Sequence, residues 1–399
     1  MMKLKKHSCR AVPVYRESGY LHRMKPVPRW EKLLWAAAVL VLLVLGALLL
    51  LVRHNSDWVE RYYSLGFYPL WAGALSALTG LLPFSLAEWL VALFAAVCLT
   101  GLVCFVATLV RYRRSWGRVL LRYSLRLVSL LAAVALLFTM GGGLNYYRYS
   151  FTHYSGLEVR PSETDQLADL CRELLAQANT LRQTLPEDSR GVSQLQQEGM
   201  ALSRQANAGY QALAARNQQY ARLFDLSTRV PPKPVFFSKA MSYMQIVGFF
   251  FPYTIEANVN VDITHFGIPN AMTHELAHIA GFMREDEANF IAYLACRENP
   301  DPFFQYSGTM LALIHSTNAL HSRAPELHSQ IMAEAHPGVR RDLVADSLYY
   351  QQHDTKFGEF STKVNDTYLK ANSQTDGVAS YGRMVDLLLA DYRQRHNLT

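Results

Sequence analysis

Apolar and polar positions divide the chain into an apolar N-terminal part and a longer part with helical periodicity. The apolar runs at 30–52, 85–110 and 120–144 each have the length that a membrane-spanning helix needs. Downstream, apolar residues recur at helical spacing in most segments, which indicates amphipathic helices packed into a domain. We therefore predict a mainly α fold, in which N-terminal transmembrane helices precede an α+β domain with a small sheet and many helices.

The segment 62–83 lies between the first two apolar runs and carries no charge. It contains helix-weakening residues, namely Gly66, Pro69, Gly73 and Gly80. A fourth span there would move the arginine-rich segment that follows to the opposite side of the bilayer, against the usual charge rule. We therefore interpret 62–83 as an interfacial or re-entrant segment rather than a span.

Lysine and arginine residues set the predicted orientation in the membrane. Residues 1–32 and 111–126 hold the excess of basic residues behind the net charge of +7. The positive-inside rule places both segments in the cytoplasm. The protein is then a multi-pass protein of the cell membrane, with the lipid bilayer as a partner and everything after about Asn145 extracytoplasmic. That remaining part is mildly acidic, which argues against binding to nucleic acid.

The chemistry-bearing motif is H-E-x-x-H, which begins at His274 within an apolar helical pattern. Residues i and i+4 share one face of a helix, so His274 and His278 can bind one metal ion. Glu275 lies next to them and can reach a water molecule on that metal. We predict a Zn²⁺ site with Glu275 as the general base. Asn270 is the predicted N-cap of this helix and Gly281 its C-terminal stop.

A second predicted helix begins at Glu285 and supplies the third ligand. Glu285 and Asn289 are four residues apart and share a face. Glu285 is the predicted ligand, and Asn289 is predicted to orient one of the histidines. Glu287 is the alternative ligand. It lies roughly 200° around the helix from Glu285, so the two carboxylates cannot bind the same ion.

H-E-L-A-H followed by E-x-E-A-N-F-x-A-x-L resembles the gluzincin-type zinc metallopeptidases. It also resembles an uncharacterised family of bacterial membrane proteins with an extracytoplasmic zincin domain. The specific match covers about residues 235–300 and implies a zincin-like domain. Four residues match the family's site, namely the ligands His274, His278 and Glu285 and the general base Glu275. The chain departs from the pattern at Asn289, where many relatives in the broader clan have aspartate.

Residues 254–264 alternate between apolar and polar side chains, which predicts a half-buried strand. The polar face includes Glu256, Asn258 and Asn260. We interpret it as an edge strand that pairs with an extended peptide substrate; an ordinary amphipathic edge strand is the alternative. His265 follows the strand and is expected to be a hydrogen-bonded structural histidine.

The predicted domain organisation has four parts. They are a basic cytoplasmic tail at 1–29, a membrane domain at 30–144, a helical hairpin at 145–234 and a zinc metallopeptidase-like domain at 235–399. Zinc peptidases often use a tyrosine, histidine or arginine to stabilise the oxyanion. Tyr368 and Tyr381 are our candidates for that role.

Two cysteines, Cys171 and Cys296, fall in the predicted extracytoplasmic part. A disulfide between them is one alternative. Two buried thiols are the expected state.

The predicted function is that of a membrane-anchored zinc-dependent peptidase, which hydrolyses peptide bonds in extracytoplasmic proteins or peptides. A catalytically silent zinc-binding membrane receptor or scaffold is the alternative. A metal-independent membrane interaction protein with an accidental motif is a third reading. The presence of Glu275 argues for activity, because a silent enzyme no longer needs a general base.

Overall fold

The structure, a computed structural model, describes residues 25–216, 218–371 and 383–398. It is mainly helical and contains a small three-stranded sheet in the described part of the chain. The predicted mainly α class with a small sheet is therefore confirmed.

The N-terminal part contains long apolar helices. Within the described residues, three stretches are long and apolar enough to cross a membrane, namely Arg29–Val52, Leu86–Arg111 and Arg113–Gly141. The helices of this part are α1 (Arg29–Val52), α2 (Ser56–Trp58), α3 (Tyr68–Thr79), α4 (Leu86–Arg111) and α5 (Trp116–Gly141). A π-helical stretch, Val59–Phe67, joins α2 to α3. Short 3₁₀ turns follow α4 and α5, at Arg113–Ser115 and Gly143–Tyr147.

The segment predicted to be interfacial or re-entrant, 62–83, is helical as far as Thr79. Its side chains pack on the C-terminal domain. The hydroxyl of Tyr68 is buried and donates to the carbonyl oxygen of Ile279 over 3.0 Å. This segment therefore supports the end of the helix that carries the two histidines.

The C-terminal part consists of helices around one sheet. Its helices are α6 (Phe151–Ser155), α7 (Thr164–Arg182), α8 (Gly199–Ala215), α9 (Gln218–Leu223), α10 (Ser238–Tyr243), α11 (Gly267–Ile279), α12 (Glu285–Glu298), α13 (Pro302–Arg323), α14 (Pro325–Met332), α15 (Pro337–Gln352), α16 (Lys356–Ala371) and α17 (Met384–His396). Its strands are β1 (Lys233–Pro234), β2 (Gly248–Phe251) and β3 (Glu256–Val259).

The core forms around α11, which contacts β3, α12, α13 and α8. In the predicted hairpin at 145–234, α7 packs mainly on α13, and α8 packs mainly on α12. These two helices therefore belong to the same packed unit as the helices that follow. Cys171 and Cys296 are free and buried, as expected.

The sheet has the order β1-β3-β2, with β1 parallel and β2 antiparallel to β3. The prediction of an edge strand with an exposed polar face at Glu256, Asn258 and Asn260 is wrong. Strand β3 is the central strand, and all three of these side chains are buried. The strand that lies at the edge beside α11 is β2.

Distant partners stabilise the buried polar side chains of β3. The carboxylate of Glu256 accepts from Lys233 Nζ over 2.6 Å and from the backbone N–H of Ala87 over 2.8 Å. The Asn258 Oδ1 accepts from the hydroxyl of Ser85 over 2.6 Å. Alternating apolar and polar side chains predict a strand with one polar face. The pattern does not distinguish a polar face that is exposed to water from one that is buried against hydrogen-bonding partners such as these.

Candidate metal centre

Helix α11 carries the H-E-x-x-H motif and is buried on most of its surface. It begins at Gly267, so the predicted N-cap, Asn270, lies inside the helix, and its N–H donates to the hydroxyl of Ser307 over 2.9 Å. The predicted stop at Gly281 is confirmed. Gly281 has a φ of +87°, and its N–H donates to the carbonyl oxygen of His278 over 2.9 Å. The chain can then turn sharply into α12.

The side chains of His274, His278 and Glu285 converge between α11 and α12. The Nε2 atom of His274 lies 3.2 Å from one carboxylate oxygen of Glu285, and the Nε2 atom of His278 lies 3.7 Å from the other. The candidate ligand atoms of the three residues all lie within 4.8 Å of one another. The turn from α11 into α12 therefore brings together the three residues that the sequence spacing predicted.

The far nitrogen of each imidazole ring is hydrogen-bonded to an oxygen. Nδ1 of His274 lies 2.8 Å from Oδ1 of Asn289, and Nδ1 of His278 lies 2.7 Å from the carbonyl oxygen of Phe282. Because both oxygens are acceptors, each ring donates from Nδ1 and directs its Nε2 atom towards Glu285. This is the ring orientation that metal-ligating histidines adopt.

The two histidines have opposite pKa shifts. Burial lowers the pKa of His278 to about 4. Burial acts in the same direction on His274, but the hydrogen bond and the negative charge of Glu285 outweigh it and raise the pKa to about 9. One carboxylate thus favours a positive charge at one ring only. Two imidazole nitrogens and a carboxylate oxygen form a donor set that suits Zn²⁺.

Glu275 is buried beside this cluster, with 3% of its surface exposed. Burial and the nearby charge of Glu285 raise its pKa to about 8, although His274 acts to lower it. Its Oε2 atom is buried and has no hydrogen-bond partner among the residues described. A buried carboxylate oxygen without a partner costs free energy and is available to a ligand or water molecule.

Glu287, the alternative third ligand, lies outside the cluster. Its Oε1 atom accepts from the backbone N–H of Phe151 and from Arg284 Nη1, each over 3.1 Å. The helical geometry that separates Glu287 from Glu285 therefore directs it to a structural role. Sequence reasoning missed this role because the donor, Phe151, lies far from Glu287 along the chain.

A cavity of about 810 Å³ opens onto the cluster. Its lining includes both histidines of the motif, Glu275, Glu285 and Asn289, together with most of β2. It also includes side chains that sequence reasoning did not place at the site, namely Phe138, Tyr146, Asp346 and Tyr350. His315 lines the cavity too, and burial together with the charge of His274 lowers its pKa.

The predicted oxyanion stabilisers are not placed by the structure. Tyr381 and the side chain of Tyr368 lie outside the described residues. His265, in contrast, is the expected structural histidine, because its Nδ1 accepts from the backbone N–H of Leu195 over 2.9 Å.

The chain belongs to the family described as "Protein of unknown function (DUF3810)", which matches residues 63–389. The matched region contains α4, α5 and all the residues of the candidate metal centre. No curated protein and no solved structure matches the chain. The family description assigns no activity, so the function has to be argued from the chemistry of the site.

Proposed function

We propose that the protein is a membrane-anchored zinc-dependent peptidase that hydrolyses peptide bonds in extracytoplasmic proteins or peptides. One observation carries this proposal. Ligand atoms of His274, His278 and Glu285 lie within 4.8 Å of one another at the wall of a cavity, and the buried carboxylate of Glu275 is beside them. Three ligands, a general base and space for a substrate are what metal-assisted hydrolysis requires.

The donor set favours zinc over the other common metal ions. Calcium and magnesium prefer sites made of oxygen ligands, whereas this site offers two imidazole nitrogens and one carboxylate. Two histidine nitrogens and a glutamate are a known ligand set of catalytic zinc, with one coordination position left for water or substrate. The hydrogen bonds of Asn289 and Phe282 to the two rings support the same assignment.

Glu275 performs the proton transfers in this mechanism. When bound, zinc supplies a Lewis acid that polarises the peptide carbonyl and lowers the pKa of an attacking water molecule. Glu275 accepts a proton from the water at Oε2 as the water oxygen bonds to the carbonyl carbon. It then passes this proton to the nitrogen of the departing amine when the carbon–nitrogen bond breaks.

Strand β2 is the proposed binding strand for an extended peptide. In the described part of the chain the sheet ends at β2, and Gly248 to Phe250 line the cavity. Backbone groups along the outer side of an edge strand can pair with an added strand, and this mode gives affinity without requiring one particular sequence. This role replaces the one that the sequence suggested for Glu256, Asn258 and Asn260.

The anchoring and orientation in this proposal come from the apolar helices and the basic segments. Three helices have the length and composition of spans. If residues 1–32 and 111–126 face the cytoplasm, as the positive-inside rule predicts, three crossings place α11 on the extracytoplasmic side. Exported or envelope proteins and peptides are then the substrates within reach.

The proposal is tested with the full chain, purified in nanodiscs, loaded with zinc and incubated with a peptide library that is read by mass spectrometry. We expect the wild-type protein to cleave a subset of peptides and the Glu275→Gln variant to cleave none, with equal zinc content. If both proteins bind one zinc per chain and neither cleaves any peptide, the silent receptor or scaffold is the correct reading. If the wild type binds no zinc, the metal centre itself is wrong.

A further inference from the structure

Helix α4 is joined to the sheet through its N-terminal end. The backbone N–H groups of Leu86 and Ala87 donate to the carboxylate of Glu256 over 3.1 and 2.8 Å. Lys233 also bonds to this carboxylate, and its Nζ donates to the carbonyl oxygen of Thr79 over 2.7 Å. These contacts are buried and charged, so the sheet and the end of the span form one rigid junction.

The C-terminal end of α5 lies against the metal centre. A Cβ atom on Gly142 would lie 2.9 Å from Cε of Met283, in the turn after α11, and 3.3 Å from a ring carbon of Phe250 on β2. Phe138, in the last turn of α5, lines the same cavity as His278. The cavity therefore extends from the candidate ligands to the end of an apolar helix that is long enough to span a membrane.

An exposed apolar surface surrounds the junction of α4 and the sheet. We define the boundary surface as Leu81, Phe84, Trp89, Phe236 and Phe237. Leu81 and Phe236 are 79% and 81% exposed. The ring of Phe237 contacts both Trp89 and Phe236, with centroids 6.2 and 5.2 Å apart.

The side chain of Glu88 in α4 holds this surface in place. Its carboxylate accepts from the backbone N–H of Phe236 over 2.7 Å and from that of Phe237 over 3.4 Å. Trp89 extends from α4 itself, so the surface is continuous with the exposed apolar side of a candidate span. Isolated exposed apolar residues are common, but a held cluster of this kind marks an interaction site.

A bilayer is the occupant that the composition favours. Aromatic side chains are enriched where a membrane meets water, and lysine side chains extend from apolar surroundings to lipid head groups. Lys239 is exposed just beyond Phe237, and Met244 and Val247 continue the exposed apolar side chains along the chain to the cavity. A second copy of the chain is the competing occupant.

We propose that the boundary surface is immersed in the interfacial layer of the bilayer, so that the cavity opens at the membrane surface. The substrate class is then a polypeptide whose cleaved bond lies close to its own membrane anchor. This second step rests on the proposed peptidase function, whereas the immersion of the boundary surface does not.

Immersion is tested with the full chain in nanodiscs. In this protein, trifluoromethyl-phenylalanine replaces Phe236. The matched control is the same residue in place of Val344, which is exposed on α15, a helix that contributes no residue to the boundary surface. We expect a nitroxide-labelled lipid to broaden the fluorine signal at position 236 more than a water-soluble gadolinium chelate does, with the reverse order at position 344. Broadening of the signal at position 236 by the chelate alone would show that this position faces solvent. Protection from both agents that disappears on dilution of the protein would show that a second copy covers it. Either result would overturn immersion.

The substrate class is tested with one cleavable peptide sequence attached to a lipid anchor through either a short or a long flexible linker. A short linker of about 5 residues reaches at most ~18 Å from the membrane, whereas one of about 30 residues releases the peptide into solution. We expect wild-type protein to cleave the short-linker peptide at least tenfold faster. The Phe236→Glu/Phe237→Glu variant is expected to lose this preference and to keep its rate on free peptide.

The outcomes separate the two proposals. Faster cleavage of the long-linker peptide contradicts the membrane-proximal substrate and leaves the peptidase function intact. If position 236 is immersed and no peptide of either kind is cleaved, the proposed peptidase function is wrong. The proposed immersion of the boundary surface is then still supported.

Discussion

A Cβ atom on Gly248 would lie 2.5 Å from Oε1 of Glu275. The backbone of β2 therefore lies directly against the carboxylate of the proposed general base. Only glycine permits this approach, because a Cβ atom at position 248 would collide with that carboxylate. The same strand lines the cavity. The position of the carboxylate and the position of a peptide paired with β2 are thus fixed by one structural element.

Replacing Gly248 by alanine is expected to displace the Glu275 carboxylate. A shift of about 1 Å in a catalytic group can lower the rate about 10²-fold, so we expect kcat to fall by at least tenfold while zinc content stays unchanged. Peptide hydrolysis and metal analysis check this. Gly46→Ala is the matched control, because a Cβ atom there meets nothing within 4 Å. A wild-type rate in Gly248→Ala would show that the contact does not position the carboxylate.

Replacing Glu275 by glutamine keeps the size of the side chain and removes its basicity. General acid–base catalysis contributes about 10²–10⁴-fold to a rate, and we expect a loss of that size with zinc affinity preserved. The measurement is the hydrolysis rate at saturating zinc. Glu334→Gln, at an exposed position on the same domain, controls for the loss of one negative charge. Equal activity in Glu275→Gln and Glu334→Gln would remove Glu275 from the mechanism.

Two carboxylates of α12 are expected to differ in their effect on zinc. Glu285→Ala removes a ligand, so we expect zinc binding to fall below stoichiometry. Glu287→Ala leaves the backbone N–H of Phe151 and the guanidinium of Arg284 without this partner. That variant should lose about 1–3 kcal/mol of stability and still bind one zinc. Metal analysis and denaturant unfolding of both variants separate these outcomes, and zinc loss in Glu287→Ala alone would reverse the assignment.

The buried ion pair of Arg148 and Glu60 is expected to hold the end of α11. Arg148 Nη2 lies 2.9 Å from Glu60 Oε1, and Nη1 donates to the carbonyl oxygen of Ala280 over 2.9 Å. Arg148→Met leaves Glu60 buried without its charge partner, which should cost about 3–5 kcal/mol. The double variant Arg148→Met/Glu60→Leu should recover part of that loss. Unfolding of the full chain in detergent measures both, and equal losses in the single and double variants would contradict the pairing.

The sequence predicts those parts of the site that depend on local helical geometry. His274 and His278 share a face because they are four residues apart, and Glu285 and Asn289 do so for the same reason. Gly281 ends α11 with a positive φ that glycine adopts readily. These local rules, with one tight turn, were sufficient to bring three ligands together.

The sequence fails where distant partners decide the outcome. The alternating pattern around Glu256 suggested a polar face in water, but Lys233 and the start of α4 bury and neutralise it. The helix start was also misplaced: α11 begins at Gly267, and Ser307, on α13, accepts from the N–H of Asn270 inside the helix. The contact of Gly248 with Glu275 joins a strand to a helix and has no sequence signal beyond a glycine before three phenylalanines.

The central claim is that His274, His278 and Glu285 together bind one zinc ion. The most direct measurement is the metal content of the purified full chain, combined with zinc X-ray absorption spectroscopy. The account predicts one zinc per chain, surrounded by nitrogen and oxygen neighbours at about 2.0–2.2 Å with the signature of two imidazoles, and loss of that signal in His278→Ala. Zinc far below one per chain, or a zinc signal unchanged in His278→Ala, would contradict it.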